Sequence, residues 1–154
     1  MGKEIERKFL VRSQEFKAFS EGILYKQGYL HSDSQKVIRI RVYRDEAYIT
    51  IKSKVTGISR LEYEYPIPAG DANEILDKLC RKPFIEKYRY TCEYKGFTWE
   101  IDEFCGENQG LIIAEIELQR EDQAFERPEW VGEEVTGDSR YYNSSLVSNP
   151  YTRW

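Results

Sequence analysis

Glu4-Ile5-Glu6-Arg7-Lys8-Phe9 sets Glu4, Glu6 and Lys8 at a spacing of two. A strand has a side-chain period of two, so an extended segment points all three to one face. Working outward, the same spacing selects Arg39 and Arg41 in Ile38-Arg39-Ile40-Arg41-Val42, Lys52 in Tyr48-Ile49-Thr50-Ile51-Lys52, and then Glu62 and Glu64. Further along it selects Lys87 and Arg89, Asp102 in Trp99-Glu100-Ile101-Asp102, and Glu115 and Glu117 in Ala114-Glu115-Ile116-Glu117-Leu118. Ordinary solvated strand faces mix Thr, Ser, Lys and Glu. Here acidic pairs and basic pairs recur on separate segments, the sorting that a metal ion bound to an anion would require.

The segments read as strands at about 3–11, 24–32, 36–44, 47–54, 60–67, 85–95, 97–104 and 111–119. Short links at Asp45-Glu46, Thr56-Gly57 and Lys95-Gly96 suit hairpins. Eight mostly sequential strands predict a mainly β chain, an eight-stranded antiparallel sheet closed into a barrel with a few flanking helices. Helical pieces are expected at Gln14–Ser20 with Ser13 as N-cap, at Asp71–Lys82, and near Tyr141–Ser148. In the second, Asp71 and Glu74 have capping-box spacing, and Ile75, Leu76 and Leu79 form an apolar stripe. With 154 residues and no repeat or linker, a single domain over 1–154 is expected.

Composition narrows the function classes. Net charge is −4 and the pI is near 5.2, which argues against non-specific nucleic-acid binding. No apolar run is long enough to cross a membrane, and Met1-Gly2-Lys3-Glu4 has no signal-like apolar region, so the reading is cytoplasmic. Cys80, Cys92 and Cys105 are odd in number and lack CxxC spacing, as expected of reduced structural thiols. The single histidine, His31, excludes a His-rich metal site. No Walker A or GxGxxG sequence is present, so phosphate must be held by side chains.

Two orientations fit the alternation. In one, every charge faces solvent and the apolar residues fill the lumen. In the other, the charges line the lumen, while Ile38, Ile40, Val42, Ile49, Ile51, Trp99, Ile101, Ile116 and Leu118 face out. Helices would then have to cover that surface, and dimerisation could cover more. The inverted lumen would hold six cations and seven carboxylates. Such carboxylates repel unless a divalent cation sits among them, and an all-oxygen set suits Mg²⁺ or Mn²⁺ better than zinc. The Arg and Lys set matches a polyanion. A phosphate chain with a metal satisfies both groups.

The pattern also resembles the CYTH superfamily, the triphosphate tunnel metalloenzymes. Glu4-x-Glu6-x-Lys8 matches its ExExK signature. Gln27-Gly28-Tyr29-Leu30, Arg39-Ile40-Arg41, Thr50-Ile51-Lys52, Glu62-Tyr63-Glu64, Glu86-Lys87-Tyr88-Arg89-Tyr90, Glu100-Ile101-Asp102 and Ala114-Glu115-Ile116-Glu117 follow in order. The tail Glu133 to Asn143 is similar to the closing segment of bacterial members. The resemblance implies a tunnel open at both ends, which agrees with the inverted orientation. It implies metal binding by Glu4, Glu6, Glu115, Glu117 and Asp102, with Glu62 and Glu64 as further candidates. It implies phosphate binding by Lys8, Arg39, Arg41, Lys52, Lys87 and Arg89, with Arg140 a candidate at the tunnel mouth.

The family hosts inorganic triphosphatase, nucleoside or RNA triphosphatase, thiamine triphosphatase and class IV adenylyl cyclase activities. A compact chain most resembles the bacterial short-chain members that hydrolyse inorganic triphosphate. The expected partner is thus a small polyphosphate, with nucleoside triphosphates as poorer substrates and no nucleic acid or membrane. The cyclase, thiamine triphosphatase and a non-catalytic polyphosphate-binding module remain alternatives. Tyr29 beside Lys52 is expected either to handle the proton as general base, since a nearby ammonium favours the phenolate, or simply to pack or donate a hydrogen bond to phosphate. The remaining tyrosines are expected mostly in the core or on the outer face.

Overall fold

A computed structural model describes residues 2–154. Nine strands form: β1 (Lys3–Val11), β2 (Ile23–Ser32), β3 (Lys36–Tyr43), β4 (Glu46–Ser53), β5 (Ser59–Pro66), β6 (Arg81–Tyr94), β7 (Phe97–Phe104), β8 (Ile112–Glu117) and β9 (Val131–Glu134). Two helices, α1 (Ala69–Lys78) and α2 (Asn143–Ser148), join them. The order is β5-β4-β3-β2-β6-β7-β8-β1-β9, and antiparallel pairing of Lys3–Ile5 with Leu61–Ser59 closes the first eight strands into a barrel. Closure leaves eight of the strands without a free edge. The ninth strand had no alternating signature; it is held by pairing Phe9 with Glu134 and Val11 with Val131.

The orientation is the inverted one. Ile40, Trp99, Ile101, Ile116 and Leu118 point away from the lumen yet are at most 4% exposed, because other segments pack over them. Phe16, on a short 3₁₀ turn (Glu15–Ala18), and Trp130 cover one face, where Trp99 meets Phe9, Phe125 and Trp130 in edge or tilted contacts. The first expected helix is therefore only this turn, its N-cap Gln14 rather than Ser13. On the other face α1 seats Ala72 and Leu76 against Ile40 and Ala47. Gly28 makes that seat possible: a Cβ there would fall 2.9 Å from Leu76 Cδ2 and 3.0 Å from Cys80 Cβ. Ile51 stays exposed beside Leu61, Tyr63 and Tyr65 on the outer face of β4 and β5.

α1 begins two residues early, with Pro68 as N-cap and no side-chain cap. Asp71 therefore lies within the first turn, where it meets the helix dipole instead of closing a capping box. The helix stops at Lys78 because Arg81 onward is drawn into β6, which reaches back to pair Arg81 with Tyr29. Leu79 is consequently exposed, outside the apolar stripe. Lys95-Gly96 forms the expected tight hairpin, both residues with positive φ (50° and 84°). All three cysteines are free thiols, and no helix is long and apolar enough to cross a membrane.

α2 corrects the expectation of a tunnel open at both ends. At one end the inward positions are apolar: Tyr29, Val37, Ile85, Phe104 and Ile113. Leu146 and Val147 of α2, together with Tyr141, pack into this collar and fill it. The charged lumen thus has a floor.

Leu76→Ala should remove the contact that covers Ile40, at a cost of about 2–5 kcal/mol. Chemical denaturation checks this; an unchanged midpoint would show that α1 is dispensable to the barrel.

Candidate active site

The lumen is a cavity of about 650 Å³ lined by Glu4, Glu6, Lys8, Arg39, Arg41, Lys52, Glu62, Glu64, Lys87, Arg89, Glu115 and Glu117. The strand register creates its charge pattern. Lys8 faces Glu115, Glu6 faces Glu117, Lys52 faces Glu62, and Arg89 faces Asp102. Except for the Glu6–Glu117 pair, these partners are of opposite sign and lie within reach of one another, the arrangement that makes buried charge tolerable.

Most of the cations lean on a carboxylate. Lys52 Nζ lies 3.3 Å from Glu4 and 3.1 Å from Glu62. Lys8 Nζ sits 3.9 Å from both Glu6 and Glu115. Arg39 reaches Glu64 at 3.4 Å and Thr50 at 3.0 Å, while its buried Nε has no partner. Arg41 has no carboxylate partner among the described residues; its Nε donates to Gln27 Oε1 at 2.9 Å. Burial and the nearby guanidinium groups of Arg39 and Arg89 bring Arg41 down to about 10. It remains charged at neutral pH and is the least neutralised cation of the lumen.

Asp102 lies behind the cavity wall, 1% exposed. Arg89 grips it with a two-pronged contact at 2.8 and 2.9 Å, and Lys87 Nζ approaches to 2.7 Å. Burial opposes its ionisation, but Arg89 and Lys87 outweigh it and hold the carboxyl well below the usual range. Burial draws Lys87 down to about 7. Arg89 keeps Asp102 ionised, so the Lys87 contact is an ion pair below about pH 7 and a hydrogen bond from a neutral amine above it. Both Asp102 oxygens are thus committed to cations.

The carboxylates on the other side are crowded. Burial, then Glu115 and Glu4, push Glu6 up to about 8. Against the pull of burial, Lys8 and a hydrogen bond from Glu6 hold Glu115 near 2. Glu4 is likewise held near 2 by Lys52, Glu62 and Arg60. A proton on Glu6 thus stands in for a cation between two carboxyl groups, and a hard divalent ion would replace it; the all-oxygen donor set fits Mg²⁺ or Mn²⁺. Among the described residues no three carboxyl groups yet converge as ligands; Glu4, Glu6, Glu62 and Glu115 are drawn toward Lys8, Lys52 or Arg60 instead.

Several placements differ from expectation. Tyr29 and Lys52 do not meet: Tyr29 faces Arg39 across the strands and its hydroxyl accepts from Gln27 Nε2 at 3.0 Å, whereas Lys52 pairs with Glu4 and Glu62. Arg140 is exposed and folds onto Asp138 at 2.8 Å, away from the lumen. His31 pairs with Asp33 at the exposed strand end, as its position suggests. Tyr25, Tyr29, Tyr43 and Tyr48 line the cavity rather than the outer face. Tyr25 and Tyr43 stack at 4.3 Å, and Arg41 and Arg89 lie over Tyr25 at 5.2 and 4.9 Å.

Arg60 was missed. It lines the cavity and donates to Glu4 at 3.2 Å. Its spacing of two from Glu62 was the available signal. Asn143, at the start of α2, also reaches the lumen, accepting from Lys87 at 2.9 Å; nothing periodic announces it.

A profile of the CYTH domain matches residues 2–149. An inorganic triphosphatase of Acetivibrio thermocellus is 60% identical over 151 residues, spanning 98% of this chain and 97% of that protein. One of Nitrosomonas europaea is 39% identical over 152 residues, spanning 94% and 96%. The crystal structure of an inorganic triphosphatase superposes with a TM-score of 0.67 at 37% identity, covering 94% of this chain and 93% of the other. A Pyrococcus furiosus protein at 22% identity, with a TM-score of 0.60 over 77% and 80%, shares the fold. The closed barrel, its inward charges and these likenesses agree, and the chain belongs to the CYTH domain family.

Proposed function

We propose that this protein hydrolyses inorganic triphosphate to pyrophosphate and phosphate with a divalent metal, Mg²⁺ or Mn²⁺, and turns over nucleoside triphosphates less well. The observation that carries the reading is the lumen itself. Cations from β1, β3, β4 and β6 converge on a floored cavity whose far wall is carboxylate. Relatives at 60% and 39% identity, both named inorganic triphosphatase, support the substrate class.

Glu4, Glu6, Glu115 and Glu117 would hold the metal, with Glu62 and Glu64 near enough to complete its surroundings. When bound, it supplies Lewis acidity toward phosphoryl oxygens. The chain's own residues do the rest. Lys8, Arg39, Arg41, Lys52, Lys87 and Arg89, joined by Arg60, bind the phosphate oxygens and stabilise charge as water attacks in line. Asp102 keeps Lys87 and Arg89 aimed inward. Tyr29 is the proton-handling group, its hydroxyl held by Gln27; Lys52 acts as a phosphate clamp, since it has no contact with Tyr29.

Chelation should abolish turnover of tripolyphosphate, and so should Glu6→Ala. A Glu6→Gln variant also tests the crowding. The folded pKa of Glu6 is raised, so its contribution is favourable below about 4.5 and is lost as pH rises through about 8. In metal-free protein above pH 8, Glu6→Gln should therefore raise the thermal midpoint, by roughly 2–4 °C for each kcal/mol relieved. A lowered midpoint there would show that Glu6 is not crowded.

Arg41→Ala should cost about 2–4 kcal/mol of transition-state stabilisation. Lysine at that position should rescue only in part, lacking the fork. Kinetics equal to wild type would remove Arg41 from the phosphate site.

Tyr29→Phe keeps the ring and deletes the proton carrier. With Tyr29 handling the proton, the variant should lose kcat with little change in KM for tripolyphosphate. An unchanged kcat would reduce Tyr29 to packing.

A further inference from the structure

We infer that Gln27 and Asn143 are positioning residues of the phosphate site: an amide pair that aims Arg41 and Lys87 into the lumen without adding negative charge. The inference rests on the triphosphatase reading and adds to it a way in which the lumen keeps part of its positive charge free. Gln27 is fully buried. Its Oε1 accepts from Arg41 Nε at 2.9 Å, and its Nε2 donates to Tyr29 Oη at 3.0 Å and to Asn143 Oδ1 at 3.2 Å. Asn143 Oδ1 also accepts from Lys87 Nζ at 2.9 Å.

The direction of every bond in this chain is forced. A guanidinium and an ammonium only donate, so Gln27 must turn its oxygen to Arg41 and Asn143 must turn its oxygen to Lys87. Gln27 Nε2 is then the only group left to face Tyr29 and Asn143. Two further consequences follow. Tyr29 receives a hydrogen bond from Gln27, which orients its hydroxyl. And α2, whose Leu146 and Val147 close the floor, is tied through Asn143 to cations on two strands.

Charge explains why amides occupy these positions. Lys52, Arg39, Arg89 and Lys87 each meet a carboxylate within 3.4 Å, which partly neutralises them; among the described residues Arg41 does not. A carboxylate at position 27 would be nearly the same size and would hold Arg41 as well or better. It would also cancel the charge that the phosphate is to meet, and it would set two acceptors, its own oxygen and Asn143 Oδ1, against each other. The amide gives orientation without neutralisation.

Steady-state kinetics with tripolyphosphate and Mg²⁺ test this on the full chain. Gln27→Glu should raise KM by roughly tenfold, on the way to the loss seen when one electrostatic donor is deleted, with a smaller effect on kcat. In an Arg41→Ala background the same substitution should change KM little, because the charge it cancels is gone. Gln109→Glu, an exposed change of equal charge, serves as the control and should leave KM unaltered. A folded Gln27→Glu protein with wild-type KM would overturn the inference, and so would an equal KM increase in the Arg41→Ala background. If Gln27→Glu does not fold, Asn143→Asp decides, since Asn143 is only partly buried: KM should rise there too, and an unchanged KM would overturn the inference. Calorimetric binding of tripolyphosphate to metal-free wild type and variants keeps the two readings apart. Absence of hydrolysis by wild type would fail the triphosphatase reading, while weaker binding by Gln27→Glu would still support the positioning role.

Discussion

Charge inside a closed barrel must be balanced locally, and strand register does the balancing. The inward charges of the lumen would otherwise repel and open it. Pairing Lys8 with Glu115, Lys52 with Glu62 and Arg89 with Asp102 places each sign beside its opposite at the level of the backbone ladder. A slip of one residue on any of these strands would turn charges into the aromatic layer outside and apolar residues into the lumen. The polar interior therefore specifies register as strongly as a hydrophobic core would. The balance is also incomplete. Burial, with Glu115 and Glu4 crowding it, pushes Glu6 up to about 8, and Arg41 is left without a neutralising partner because an amide faces it. On the proposed reading these two residues are where a cation and an anion would enter.

An inside-out barrel moves its hydrophobic stabilisation to the exterior. Trp99, Ile101 and Ile116 are buried not by one another across a lumen but by segments wrapped outside, among them the turn at Phe16 and the entry to β9 at Trp130 and Val131. α1 does the same for Ile40. The connections between strands thus form the core with the outer face. α2 is the exception: it packs into the barrel end, and its first residue accepts a hydrogen bond from Lys87 in the lumen.

The barrel was legible because period-two alternation is long and unambiguous in these strands. The inward set was legible because charges of like sign recur at that period. What failed was local. The capping box at Asp71 and Glu74 gave way to tertiary demand, since β6 needed the residues after Leu79. β9 is four residues long and is held only by pairing with β1. Arg60 could have been found, sharing its face with Glu62. Gln27 and Asn143 could not be given a role, because a neutral amide acquires one only from the groups it touches. The expected Tyr29–Lys52 contact failed for a related reason: facing the same lumen does not make two residues neighbours, and the β2–β3 register hands Tyr29 to Arg39.

The central claim is that the lumen needs metal and anion together, because carboxylates and cations are each left short of partners. Calorimetric titration with a non-hydrolysable imido analogue of triphosphate, with and without Mg²⁺, tests it directly. Chelation of Mg²⁺ in solution lowers the free anion, so a site for the anion alone would bind more weakly when metal is added. The account predicts the opposite, a tighter complex with Mg²⁺ present. Affinity that is unchanged or weakened by Mg²⁺ would contradict it.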